Sequence, residues 1–187
     1  LPGKEVIVSA NSIDHIALGN TESVNLAIEN SWAAYQENAG LTKQTPPANG
    51  IPCMDLVWKS GTMTMFSSSF KDPAVVIYRP DIPMAQYATD YTTTNPASSS
   101  DKFEYLKIPH KWIIDGVEVF NTANSFKRIP ASVDASYILN ELGMASRSSV
   151  CRKVDEKASA EAGFTIYQDT NNSAEDFEIL KTPSLIK

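Results

Sequence analysis

The residues best equipped for chemistry are two histidines and a run of alternating oxygen donors near the C-terminus. His15 follows Asp14, and His110 stands shortly before Asp115. An imidazole oriented by a carboxylate is a common general base, but a nucleophile must meet it in space, and neighbours in the chain do not show that. The sequence holds no Gly-x-Ser-x-Gly elbow, no His-Glu-x-x-His pair and no phosphate-cradling glycine loop. A hydrolase using His15 or His110 therefore stands as an alternative, and the expectation for each histidine is a role at a polar turn or strand end.

Asp169, Asn171, Ser173 and Glu175 alternate as in the first half of a calcium loop, where hard oxygen ligands wrap the ion. Two requirements of that loop fail. Ala174 takes the place of the sharp-turn glycine, and the late bidentate acid position falls on Leu180. Calcium is the one cofactor the pattern admits, and otherwise none is expected. The simpler reading of Gln168 to Phe177 is an Asx-type turn that opens the last strand.

Cys53 and Cys151 fit no zinc spacing and are expected as two separate buried thiols, although an exported protein could pair them. Among the aromatic residues, Trp58 and Trp112 lie in strand-like runs and are expected in the core. Tyr87 and Tyr91 lie in a polar stretch and are the expected exposed ligand contacts.

A chain of 187 residues with 42% hydrophobic residues can bury a core as one domain over 1–187. A net charge of -6 and a pI near 4.9 disfavour a nucleic-acid partner, which needs clustered Lys and Arg. No apolar run approaches the roughly 20 residues that cross a bilayer. Leu1-Pro2-Gly3-Lys4 carries neither the basic start nor the apolar stretch of a signal peptide, and the chain reads as a fragment or a processed product.

The elements that must position these residues are mostly short strands. They are expected at Lys4 to Ala10, in a hairpin from Met54 to Phe66 around Gly61, at Ala74 to Tyr78, and at Trp112 to Phe120. Further strands are expected at Ser149 to Val154, Gly163 to Tyr167 and Phe177 to Leu180. Helical spacing of Val24, Ile28, Trp32 and Tyr35 predicts a helix over Thr21 to Gly40, and a second is expected over Val133 to Leu142. Tyr87 to Lys102 reads as a long exposed loop. Together these give a mainly β fold: an antiparallel, immunoglobulin-like β-sandwich with long loop excursions and one or two short helices.

Four segments resemble a family of Bacteroidetes cell-surface proteins known only as a domain of unknown function. They are Ser12 to His15, Lys107 to Asp115, Val150 to Val154, and Gln168 to Phe177. Lys127-Arg128-Ile129-Pro130, Asp134-Ala135 and the ending Thr182 to Leu185 also fit, so the resemblance covers most of the chain. It implies a secreted lipoprotein on the extracellular face of the outer membrane, held by an acylated cysteine upstream, with this chain as its C-terminal part. It implies an accessory role in TonB-dependent nutrient uptake, with the transporter or other surface lipoproteins as partners. A more distant likeness to the lamin-tail, immunoglobulin-like fold is implied as well. Where the family is expected to carry an acidic, Asn-rich loop, this chain has Thr45 to Pro52. The favoured reading is a non-enzymatic surface protein for nutrient capture. The alternatives are a calcium-dependent carbohydrate-binding or adhesion module, and the hydrolase.

Overall fold

In a computed structural model the described residues are 5–20, 22–37, 41, 43–61, 64–66, 72–95, 100–123, 126–143 and 146–182. Lys4, Thr21, Gly40, Thr62, Met63 and residues 183–185, on which expectations above partly rest, lie outside them. The chain is mainly β, with nine strands and three short helices among the described residues, consistent with a β-sandwich. It divides into two compact units, one of residues 5–67 and 80–109, the other of residues 1–4, 68–79 and 110–187.

In the first unit, β1 (Ile7–Ser9) pairs in parallel with β2 (Ser31–Ala33). The predicted helix over Thr21 to Gly40 is absent among its described residues. Asn30 sits in the left-handed region at φ 66, which a helix interior excludes, and β2 begins at the next residue. The Ala33 N–H donates to the Pro52 carbonyl at 2.9 Å, so residues 52–54 run beside β2. No strand forms over residues 54–61 or 64–66, so the hairpin expected from Met54 to Phe66 does not appear among its described residues.

Helix α1 (Met84–Asp90) leads into β4 (Thr92–Thr94), which pairs antiparallel with β5 (Glu104–Leu106). The expected loop over Tyr87 to Lys102 is thus largely ordered structure among its described residues. Residues 96–99 lie outside them.

In the second unit the central strand is β6 (Ile113–Phe120), entered through a short 3-10 turn at His110–Trp112. It pairs antiparallel with β3 (Ala74–Tyr78) and in parallel with β7 (Ile138–Leu139). The expected helix over Val133 to Leu142 is replaced by β7, because the Asp134 carboxylate is drawn to another segment and Ile138 then registers with Val119. The parallel pairings depart from the all-antiparallel expectation.

The core of this unit gathers Trp112, Phe120, Ile129 and Ile138, with the Phe120 ring tilted at 46° against Tyr137 and 4.7 Å between ring centroids. Strand β8 (Ser149–Arg152) and β9 (Phe177–Leu180) form an antiparallel pair. Between them lie α2 (Glu156–Ala162) and α3 (Ser173–Asp176), and the strand expected over Gly163 to Tyr167 reduces to one bridge, Val154 to Tyr167. No helix among the described residues is long and apolar enough to cross a membrane.

Candidate functional site

The oxygen-rich turn before β9 is built around two buried carboxylates. Asp176 accepts from the Thr170 N–H at 2.8 Å, the Thr170 hydroxyl at 2.8 Å and the Asn172 N–H at 3.3 Å. Burial pushes its pKa up, but those bonds and the Gln168 side chain outweigh it and hold the carboxyl below its ordinary value. Asp134 accepts from the Ser173 N–H at 2.9 Å, from the Ser173 hydroxyl, and from the Ser136 N–H at 3.2 Å. Asn171 takes the left-handed conformation at φ 56, and its carbonyl accepts from the Ala135 N–H at 2.7 Å. The turn is a clasp that ties residues 134–136 to residues 170–176.

Of the four residues expected as metal donors, Asp169 lies 3.6 Å from the Arg152 guanidinium, and Ser173 is engaged by Asp134. Asn171 and Glu175 are exposed. No group of three or more His, Cys, Asp or Glu residues placed to hold a metal occurs among the described residues. The hollow beside the turn measures about 10 Å³, room for a single water, and is lined by Asp115, Asp134, Arg152, Asn172 and Asp176 among others. A cation already stands in its wall. Arg152 pairs with Asp115 of β6 and lies 4.8 Å over the Phe177 ring, joining β6, β8 and β9 through charge and ring contact.

A third buried carboxylate, Glu118, points into the core face of β6 between Gly116 and Phe120. It accepts from the backbone N–H groups of Arg128 and Ile129, at 3.0 and 2.9 Å, and from Arg128 Nε at 2.9 Å. Lys127 Nζ adds a charge at 3.6 Å. Sequence reading did not single out Glu118. Its signal was the sequence Lys127-Arg128-Ile129, a paired cation motif following the strand by a short loop.

One of the two tyrosines departs from expectation. Tyr87 is fully buried in α1, where helix geometry turns it inward, and its ring lies 5.5 Å from the half-buried Tyr91 ring. Tyr87 is therefore core and not an exposed contact. The Asp14 carboxylate accepts from the N–H groups of Ile16 and Ala17, both at 3.0 Å, which makes it an Asx turn beside His15. His110 is exposed in the 3-10 turn, and Asp115 is taken by Arg152. Cys53 is exposed and Cys151 half-buried, and both thiols are free, so burial was the wrong expectation for Cys53.

A family model described as "Protein of unknown function (DUF4876)" matches residues 1–184. The chain belongs to the DUF4876 family. Its fold is also similar to a solved structure of a DUF4876 protein from Bacteroides thetaiotaomicron, with a TM-score of 0.73 and 26% sequence identity. That similarity covers 95% of this chain and 48% of the Bacteroides chain, so this chain spans about half the length of its DUF4876 relative. No curated protein matches.

Proposed function

We propose that this DUF4876 chain is the recognition part of a non-enzymatic lipoprotein on the outer face of the outer membrane, accessory to TonB-dependent nutrient capture. Its partner is the transporter or a neighbouring surface lipoprotein, and its membrane attachment is a lipid anchor upstream. The observation that carries the non-catalytic part is the use of its acids. Glu118, Asp134 and Asp176, the buried carboxylates among the described residues of the second unit, each accept hydrogen bonds from the chain's own N–H groups. A carboxylate so engaged is a structural clasp, not a poised acid or base. The cellular setting is argued from the resemblance of segments such as Lys107 to Asp115 and Gln168 to Phe177 to Bacteroidetes cell-surface proteins. The test is fractionation of the native host with an antibody to this chain. The expected result is an outer-membrane protein that external protease digests in intact cells and that co-purifies with a transporter. Recovery from the cytoplasm overturns the proposal.

A further inference from the structure

A groove of about 500 Å³ opens in the first unit between two turns, residues 27–30 and 49–52. That volume lies within the ~300–1,000 Å³ typical of small-molecule sites. Hydrogen bonds fix both rims. The Ser31 N–H donates to the Ile28 carbonyl at 3.2 Å, and the Ile51 N–H to the Ala48 carbonyl at 3.1 Å. The pairing of Ala33 with residues 52–54 holds the rims at a set spacing. Each rim turns through a left-handed residue, Asn30 at φ 66 and Gly50 at φ 83, residue types that adopt this backbone readily.

The groove's chemistry is mixed in a specific way. Trp32 lines it and is 39% exposed, while its strand neighbours Ser31 and Ala33 are buried. Ile28 and Pro52 extend the apolar wall. Asn30 and Asn49 supply two amide side chains, neither with a hydrogen-bond partner among the described residues. Ser31 keeps a buried hydroxyl that is likewise unpaired. Among the described lining residues Glu29 is the one ionisable group, so none of them is a cation that would receive a phosphate or carboxylate.

A fitting ligand has a flat apolar face, an edge of hydroxyls and no negative charge. We propose that this groove binds a short neutral oligosaccharide, with the Trp32 indole beneath one sugar ring and the Asn30 and Asn49 amides on its hydroxyls. Each amide offers two donors and an acceptor, the pattern that adjacent hydroxyls complement. The inference deepens the capture reading by naming what is captured, and its test does not depend on where the protein resides.

The experiment is calorimetric titration of the chain with maltotriose, cellotriose, xylotriose, mannotriose and chitotriose, with choline as a cationic comparator. The expected result is binding of at least one trisaccharide. Trp32→Ala weakens it tenfold or more, which is about 1.4 kcal/mol. Asn49→Ala, on an exposed turn, weakens it ~3-fold or more, with thermal melting unchanged. Phe103→Ala, at an exposed aromatic of the same unit that does not line the groove, leaves the affinity as it was. Three results each overturn the inference: no trisaccharide binds, Trp32→Ala binds as tightly as the parent, or choline binds in the sugar's place. Failure here leaves the surface location standing, and a cytoplasmic location leaves the groove standing.

Discussion

Replacing Asp176 tests whether the C-terminal turn is a clasp. Three donors converge on its carboxylate, two of them at 2.8 Å and one at 3.3 Å. A hydrogen bond to a charged group contributes about 1.5–3 kcal/mol, and the long contact counts for little. Thr170 is exposed, so water can serve its N–H once the carboxylate is gone. The expected cost of Asp176→Ala is therefore about 2–4 kcal/mol rather than the full sum. For a chain of this size that lowers Tm by roughly 5–15 °C. Asp176→Asn keeps the shape and one acceptor but turns an NH₂ group towards a donor, and it should cost about half as much.

Acid separates this account from simple loss of packing. The folded carboxyl titrates below its ordinary value, so on acidification the unfolded chain takes up the proton first. The contribution is complete above the unfolded pKa and is lost as pH falls through the folded one. The stability gap between parent and Asp176→Asn should therefore shrink below about pH 4. Urea unfolding followed by circular dichroism at pH 7 and pH 3 measures it. The reasoning fails if Asp176→Ala lies within about 0.5 kcal/mol of the parent, the range of ordinary surface changes. It fails equally if the Asn gap is the same at both pH values. A cycle with Thr170→Val should return a coupling of about 1 kcal/mol.

Glu118→Ala strands two backbone N–H groups and two cations in or beside the core, and urea denaturation should show a loss of about 3–5 kcal/mol. Arg128→Ala should cost less, because Lys127 and the backbone donors still serve the carboxylate and the Arg128 side chain is half exposed. At Gly116 an added Cβ would lie 3.0 Å from Ile129 Cδ1 and 3.4 Å from Val76 Cγ2. Gly116→Ala should destabilise by about 1–3 kcal/mol, and Ile129→Val, which removes that Cδ1, should restore part of it in a thermal melt. In the first unit the Tyr105 hydroxyl donates to Asp101 at 2.7 Å, which raises the phenol above its ordinary value and lowers Asp101. A pH titration followed by NMR should show Tyr105 ionising earlier once Asp101 is changed to Asn.

The strands whose apolar residues run together were legible in the sequence. Ala74 to Tyr78, Ile113 to Phe120 and Phe177 to Leu180 form where β-branched and aromatic residues cluster. Periodicity failed where a second pattern lay over it. Val24, Ile28, Trp32 and Tyr35 mimic a helical face, yet Asn30 is the residue that decides, because its short side chain tolerates the left-handed backbone that releases β2. The short α2 went unread because none of its residues is buried and so no apolar stripe marks it. Its signals were local ones, the Asp155 carboxylate accepting from the Ala158 N–H at 2.9 Å and Gly163 at φ 74. Strand β6 hides its orientation for a different reason. Hydropathy alone would turn Val117 and Val119 inward, but the buried face carries Gly116, Glu118 and Phe120, and only the partners of Glu118 make that face stable.

The site raises the same issue in sharper form, because oxygen-rich residues near one another have two physical uses. They can bind something from outside, or they can satisfy donors that the fold itself leaves open. Composition does not separate these uses, and the destination of each hydrogen bond does. Around Asp134 and Asp176 the donors are main-chain N–H groups and hydroxyls of the turn, so that cluster is spent on holding β7, β8 and β9 together. Around Trp32 the balance is reversed. The backbone of both rims is satisfied within the unit, while the Asn30 and Asn49 amides have no partner among the described residues. Groups that the fold satisfies contribute to stability, and groups that it holds in place yet leaves open are available to a ligand. By that criterion the C-terminal turn is structural, save for the buried Asn172 Oδ1 that meets no donor, and the groove beside β2 is where we propose recognition.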